Sequence, residues 1–145
     1  CYLCLDLIRP ELSFPVNDAW MAMHEGKSGG YHDDELENTT HPIYADVPDI
    51  HTTQSIFDGI TYNKGASVLK QIFSLVGLEK FSKAMKAYFH KHQWSNTRLS
   101  DLLEEFNTIL DAPQGALNLD VFRKDWIETA GHNVLSCEWP VGESG

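Results

Sequence analysis

The chain has 145 residues, enough for one domain with a hydrophobic core, and its 42% hydrophobic and 22% charged residues are ordinary for a globular protein. Eleven basic residues against 21 acidic ones give a formal charge of −10, which argues against nucleic-acid binding because such surfaces cluster Lys and Arg. No apolar run reaches the roughly 20 residues of a membrane-spanning helix and no secretory leader is recognisable, so we expect a cytoplasmic protein with no membrane partner.

The first residues, 1–9, carry apolar side chains typical of a helix, and we predict that Pro10 ends it. Cys1 and Cys4 have the spacing of zinc ligands, but no second ligand pair of similar spacing exists, so we interpret them as two buried thiols. Because the chain opens with Cys1 rather than Met, we expect it to come from a longer polypeptide.

A second helix and a long loop follow. Asn17 or Asp18 is the predicted cap of the helix, and the glycines at positions 26, 29 and 30 leave its end undetermined. The acidic cluster 32–37 is interpreted as a solvated surface, since most charge runs are solvated. Residues 39–49 contain two prolines and are predicted to form a loop.

Four amphipathic helices are predicted after this loop. Asp58 is the expected N-cap of the first helix, and Gly77 is its expected end. Its apolar stripe, taken as the buried face, consists of Tyr62, Gly65, Ala66, Leu69, Ile72, Phe73 and Val76.

The next three helices are predicted at 78–92, at about 98–110, and from Asn118 to Gly131. Four such helices joined by short loops predict a mainly α fold, with an antiparallel, bundle-like packing. The tail 133–139 alternates weakly and predicts a short C-terminal strand.

Spacing alone assembles no complete active site. None of the seven histidines forms a His-Glu-x-x-His pair, and neither a Gly-rich phosphate loop nor a Gly-x-Ser-x-Gly elbow occurs. Tyr62 is the remaining candidate. A tyrosine on an apolar stripe is usually a core residue, but in a first helical turn it can reach back to a cleft, where its neutral hydroxyl can stabilise an oxyanion. Both interpretations stay open at this point.

Two motifs carry a resemblance. Thr40-His41-Pro42-Ile43, and the run Phe-Asp-Gly-Ile-Thr-Tyr-Asn-Lys-Gly-Ala-Ser-Val-Leu at 57–69, resemble the zinc-dependent M1 aminopeptidases. That family typically shows a His-Pro pair followed by Phe-Asp-x-Ile-x-Tyr-x-Lys-Gly-Ala. Residues 99–102 and 126–135 are similar to later landmarks, and the last run is most like the bacterial aminopeptidase N branch.

The resemblance implies a parent enzyme that removes N-terminal residues from peptides by attack of a zinc-bound water. It implies that Tyr62 donates a hydrogen bond to the oxyanion, and Tyr62 is the only catalytic residue assigned here. Asp58 and Lys64 match the motif too, but helix capping and a solvated charge explain them. Phe57 and the pair His41-Pro42 are expected to shape the wall and loop of the site.

It also implies that 1–132 is the C-terminal helical part of a thermolysin-like catalytic domain, and that 133–145 begins a following β domain or is a tail. The zinc-binding His-Glu-x-x-His and the amine-recognising Gly-x-Met-Glu-Asn run are absent. We therefore expect Zn²⁺ in the intact parent only, no metal or cofactor ligands in this chain, and no hydrolysis by the chain alone. The expected partners are peptides with a free N-terminus and the remaining domains of the parent.

Two alternatives remain open. The chain can be an independent helical interaction module without a catalytic function, or part of an M1-like protein that has lost activity and serves as a scaffold. The sequence encoded before Cys1 separates them, because only an aminopeptidase requires zinc ligands there.

Overall fold

The computed structural model describes residues 2–12, 18–110 and 118–137 of the chain. Its helices, in chain order, are α1 (Tyr2–Leu12), α2 (Asp18–Glu35), α3 (Ile50–Ser55), α4 (Gly65–His92), α5 (Leu99–Leu110) and α6 (Leu119–Phe122). A first π-helical turn, Ile60–Lys64, leads directly into α4, and a second, Arg123–Ile127, follows α6. The described ranges contain no strand, so the prediction of a mainly α fold is confirmed.

The predicted C-terminal strand is not confirmed. Residues 132–137 have no regular secondary structure, and the last two residues of the prediction, 138 and 139, lie outside the described residues. A strand needs a partner for its backbone hydrogen bonds, and no described segment offers one.

The core lies where α4 and α5 meet the segment formed by α6 and the second π-helical turn. Phe106 and Ile72 are each 1% exposed at its centre. The buried cluster consists of Val68, Ile72, Ala84, Phe106, Leu119, Phe122 and Ile127. The prediction of an amphipathic helix at about 98–110 is confirmed, because in α5 Leu103 and Phe106 are buried and Leu99 packs against the same cluster.

The buried face of α4 differs from the prediction. Val68 and Ile72 are buried, whereas Leu69 is 38% exposed and Tyr62 is 54% exposed. A π-helical turn contains more residues than an α-helical one, so counting 3.6 residues per turn back through 60–64 misplaces Tyr62. The predicted end at Gly77 is confirmed, since φ of +80° and ψ of 165° break α4 there, a conformation that glycine adopts readily.

Helix α1 departs from the prediction in two respects. The helix continues through Pro10 to Leu12, because proline removes one amide donor without preventing the following residues from keeping helical dihedrals. Cys4 is exposed rather than buried, because α1 packs against α2 and not against the central core. Cys1 lies outside the described residues.

Candidate functional site

The first π-helical turn begins at a carboxylate with two sets of partners. Asp58 Oδ1 accepts hydrogen bonds from the amides of Ile60, at 2.9 Å, and Thr61, at 3.0 Å, which confirms its predicted capping role. Asp58 Oδ2 lies 2.8 Å from Nε2 of His41. Nδ1 of the same ring lies 2.7 Å from the carbonyl oxygen of Pro42. His41 therefore fastens the loop after α2 to the start of the turn.

Tyr62 lies in the exposed part of this turn. Ile60 is fully buried and anchors the turn, whereas Tyr62, two residues later, is 54% exposed. Its ring packs edge-to-face against Phe57, with the ring centroids 4.9 Å apart and the planes at 76°. The interpretation of Tyr62 as a core residue is wrong, because burial on a shared stripe required regular α-helical spacing. Tyr62 is therefore accessible to a bound molecule or to another part of a larger protein.

Helix α2 approaches the turn at two glycines. A Cβ on Gly30 would lie 3.0 Å from the carbonyl oxygen of Gly59 and 3.2 Å from the amide nitrogen of Lys64. A Cβ on Gly26 would lie 2.9 Å from the Asn63 side-chain oxygen. These glycines let α2 pack directly on the turn, so the helix continues past them to Glu35 rather than ending there.

A buried ion pair lies on the inner side of the turn. Lys64 Nζ donates to Asp34 Oδ2 at 2.8 Å and to the carbonyl oxygen of Gly131 at 2.7 Å. Asp34 Oδ1 accepts from the Thr40 hydroxyl at 2.8 Å and from the Gly131 amide at 3.2 Å. The side chain of Asp34 is only 1% exposed and that of Lys64 is 17% exposed. Lys64 is thus not a solvated charge, and the acidic cluster 32–37 is not solvated at Asp34.

The environment of Asp34 favours its ionised form. Burial alone would raise the pKa of Asp34, but the hydrogen bonds from Lys64 and Thr40, the ammonium charge and the Gly131 amide together hold that pKa below its usual value. The carboxylate is therefore negative at neutral pH, and its contact with Lys64 is a charged pair.

A cavity of about 300 Å³ adjoins the same region. Lys64, Tyr31, Ser67, Trp126 and His132 are among its lining residues, and Tyr62 is not. The cavity therefore adjoins the ion pair, and Tyr62 does not line it.

The residues that the structure describes do not fit a catalytic zinc ion. Among the side chains that the structure describes, those of residues 2–7, 19–110 and 118–137, no three His, Cys, Asp or Glu are grouped as metal ligands would be. No reaction step in this chain is assigned to a metal. Within the same ranges, no helix has the length and apolar character needed to cross a membrane.

Comparison with known proteins decides the family. A model described as the peptidase family M1 domain matches residues 2–126. The chain belongs to peptidase family M1. This M1 chain is 49% identical over 119 residues to aminopeptidase N of Streptomyces lividans, an alignment that covers 82% of the chain and 13% of that protein. The resemblance to M1 aminopeptidases, including the bacterial aminopeptidase N branch, is confirmed.

More distant relatives cover a similar region. The M1 chain is 38% identical over 107 residues to tricorn protease-interacting factor F2 of Thermoplasma volcanium, covering 74% of the chain and 13% of that protein. It is 31% identical over 142 residues to aminopeptidase M1 of Arabidopsis thaliana, covering 98% of the chain and 15% of that protein. The chain therefore spans about one eighth of the length of the curated relatives it matches.

Three residues of the site escaped sequence reasoning: Asp34, Thr40 and Gly131. Asp34 lies within an acidic run that is predicted to be solvated, whereas Thr40 and Gly131 lie within runs that carry the family resemblance but have no site role in the sequence prediction. The run 32–37 contains only one apolar residue, Leu36, so its sequence gives little indication that the carboxylate of Asp34 is buried. The available signal was the Lys of the Tyr-x-Lys-Gly motif, because a lysine on the inner side of a helix start requires a carboxylate partner.

Proposed function

We propose that this M1 chain forms one side of the active site of a parent zinc aminopeptidase, and that Tyr62 donates a hydrogen bond to the oxyanion formed during peptide hydrolysis. The observation that carries the proposal is the position of Tyr62, which is 54% exposed in a turn whose start is capped and whose inner side is buried. The aminopeptidase names of its relatives support the same activity.

The chemistry assigned to Tyr62 is electrostatic. When the carbonyl carbon of a peptide bond is attacked, its oxygen gains negative charge, and a hydroxyl aimed at that oxygen stabilises the charge. The edge-to-face contact with Phe57 restricts the ring, so little reorganisation is needed at the moment of reaction. In this proposal the zinc ion, its ligands and the general base belong to other parts of the parent, so the chain alone hydrolyses nothing.

We also propose that residues 1–132 are the C-terminal helical part of the catalytic domain, and that 133–145 begins a following domain or tail. The family match to residues 2–126 supports the first boundary. The positive φ of +83° at Gly131 and the irregular backbone after it support a change of structure there. The substrates in this proposal are peptides with a free N-terminus.

The test is Tyr62→Phe in the full-length parent protein. Only the hydroxyl is removed, so we expect normal folding and zinc content with turnover of an aminoacyl chromogenic substrate lowered about 10²–10³-fold. Tyr44→Phe is the matched control, because Tyr44 is also about half exposed, at 50%, and we expect its turnover to stay within about twofold of the parent's.

Near-normal turnover of the Tyr62→Phe variant would refute the catalytic role. A parent protein that binds no zinc and cleaves no aminoacyl substrate would instead support the alternative of a non-catalytic scaffold. Zinc analysis of the purified parent therefore precedes the kinetic comparison.

A further inference from the structure

We propose that Asp34, Thr40, Lys64 and Gly131 form a positioning device for Tyr62, and we call these four residues the Asp34 junction. The proposal rests on the proposed function of Tyr62 and extends it. Lys64 and Tyr62 belong to the same π-helical turn, Ile60–Lys64, but their side chains leave it in different directions. Lys64 enters the junction with 17% exposure, while Tyr62 is exposed.

The junction joins three parts of the chain that are distant in sequence, because Asp34 and Thr40 are only six residues apart. Asp34 lies near the end of α2, Thr40 in the loop after it, Lys64 in the turn, and Gly131 after the second π-helical turn. Gly131 participates through both backbone groups, since its amide donates to Asp34 and its carbonyl accepts from Lys64. The carboxylate thus receives three hydrogen bonds and the ammonium group donates two.

This arrangement resists rotation of the turn. Changing the position of the backbone from which the Tyr62 side chain starts requires the turn to rotate, and this would withdraw the Lys64 ammonium from a carboxylate that is 1% exposed. An isolated buried charge is strongly unfavourable, so the pair selects one orientation of the backbone that carries both residues.

His41, which follows Thr40 in the loop after α2, holds the start of the π-helical turn at Asp58. Thr40 donates to Asp34, and His41, the next residue, contacts Asp58 at the start of the turn. Two adjacent residues of one loop therefore hold both ends of the five-residue turn. Gly30 adds a direct backbone contact, because a Cβ there would lie 3.0 Å from the Gly59 carbonyl oxygen.

The first experiment compares two lysine variants in the full-length parent enzyme. Lys64→Met breaks the junction, and Lys91→Met is the matched control because it breaks another lysine–carboxylate contact of 2.8 Å, that with Glu105. We expect Lys64→Met to lower kcat about 10–100-fold with KM changed less than about twofold, since a misplaced catalytic group weakens the transition state more than substrate binding. Lys91→Met should change neither constant by more than about twofold.

A double-mutant cycle shows whether Lys64 acts through Tyr62. If it does, adding Lys64→Met to Tyr62→Phe lowers kcat no further, because the hydroxyl to be positioned is already gone. An equal fold-loss in both backgrounds would overturn the proposal, since Lys64 would then act independently of Tyr62.

A readout without turnover separates this proposal from the proposed function. With 3-fluorotyrosine at position 62 of the parent, we expect one sharp ¹⁹F resonance, and Lys64→Met should broaden or split it while Lys91→Met leaves it unchanged. An unchanged resonance in Lys64→Met would overturn the positioning role whatever the kinetics. If Tyr62→Phe stays fully active while Lys64→Met alters the resonance, the catalytic role of Tyr62 is wrong and the positioning role stands.

A milder variant covers the case in which Lys64→Met does not fold. Thr40→Val removes one of the three hydrogen bonds to Asp34 and leaves the ion pair intact. We expect a smaller change of the same ¹⁹F resonance and a smaller loss of kcat than in Lys64→Met. No change in the resonance of a folded Thr40→Val protein would contradict a positioning role for the junction as defined.

Discussion

Three donors converge on the carboxylate of Asp34: the ammonium group of Lys64, the hydroxyl of Thr40 and the amide of Gly131. A buried carboxylate with this many donors is more stable ionised than protonated, which is why its pKa lies below the usual value despite its burial. The same contacts make Asp34 a source of stability that depends on pH.

We predict that Asp34→Asn destabilises the protein by about 1–3 kcal/mol near pH 6, because the ammonium group of Lys64 loses its charged partner. The pKa of Asp34 in the folded protein lies below that of an ordinary aspartate, so the carboxylate contributes stability above the ordinary pKa, and this stability is lost as the pH falls through the folded-state pKa. The difference between wild type and variant should therefore shrink below about pH 4.

Urea unfolding of the chain, followed by tryptophan fluorescence from about pH 6 to about pH 3, measures this difference. Asp46→Asn is the control, because Asp46 is an exposed loop residue for which we expect only a few tenths of a kcal/mol at every pH. A wild-type-to-Asp34→Asn difference that stays constant to the lowest pH would show that ionisation of Asp34 does not stabilise the fold.

Local and distant contacts differ in how far the sequence predicts them. The capping role of Asp58 was predictable, because its amide partners lie two and three residues away. The pairing of Lys64 with Asp34 joins residues 30 positions apart, and no spacing rule connects them. The Tyr-x-Lys-Gly motif identifies Tyr62, but helical periodicity does not predict that Tyr62 is exposed. The π-helical turn shifts its position around the helix axis relative to the residues of α4.

At the scale of elements, α4 exposes the limit of periodicity. Ile72 and Val68 face α5 and the second π-helical turn, while Leu69 points toward an apolar groove beside α1 and α2. The predicted stripe contained Ile72 and Leu69 on one face, which a regular helix allows, but only one of them meets the core.

We predict that Ile72→Ala lowers the free energy of unfolding by about 2–5 kcal/mol, because a side chain that is 1% exposed leaves a cavity when truncated. Leu69→Ala serves as the matched comparison on the same helix. With 38% of Leu69 exposed, its truncation should lower the free energy of unfolding by less than about 1.5 kcal/mol.

Chemical denaturation of both variants at one pH gives the two values. Equal losses for Ile72→Ala and Leu69→Ala would mean that the sequence-predicted stripe, rather than the face containing Val68, is the buried one.

The other elements were predictable where local sequence determines the structure and unpredictable where a contact with a distant segment determines it. Helix α5 was predicted closely, because its apolar periodicity is strong and a loop precedes it. The continuation of α2 through Gly26 and Gly30 was not predicted, because glycines usually weaken a helix. Here they allow the π-helical turn to pack closely against α2, which is a tertiary contact. The strand expected in the tail would depend on pairing with another segment, which sequence alternation alone does not specify.

At the scale of the whole molecule, one surface combines many apolar side chains. A groove of about 570 Å³ lies among α1, α2 and both halves of α4. Its apolar lining includes Leu3, Leu7, Trp20, Met23, Leu69, Phe73, Phe81, Met85 and Phe89. An apolar surface of this kind promotes association when nothing covers it, whereas the net charge of −10 opposes contact between copies.

We predict that the isolated chain self-associates through this groove, and that salt strengthens the association. Raising NaCl from about 0.01 M to about 0.15 M shortens the screening length from roughly 30 Å to roughly 8 Å, so repulsion between the acidic copies falls while apolar burial persists. Sedimentation velocity over a range of protein concentrations should therefore show larger species at the higher salt.

The double variant Leu69→Ser/Phe89→Ser should weaken association, because both residues line the groove. Val121→Ser, a change at a side chain of α6 that is 54% exposed, should leave it unaltered. A chain that stays monomeric at both salt concentrations, or whose association responds equally to both variants, would contradict the prediction that this groove mediates self-association.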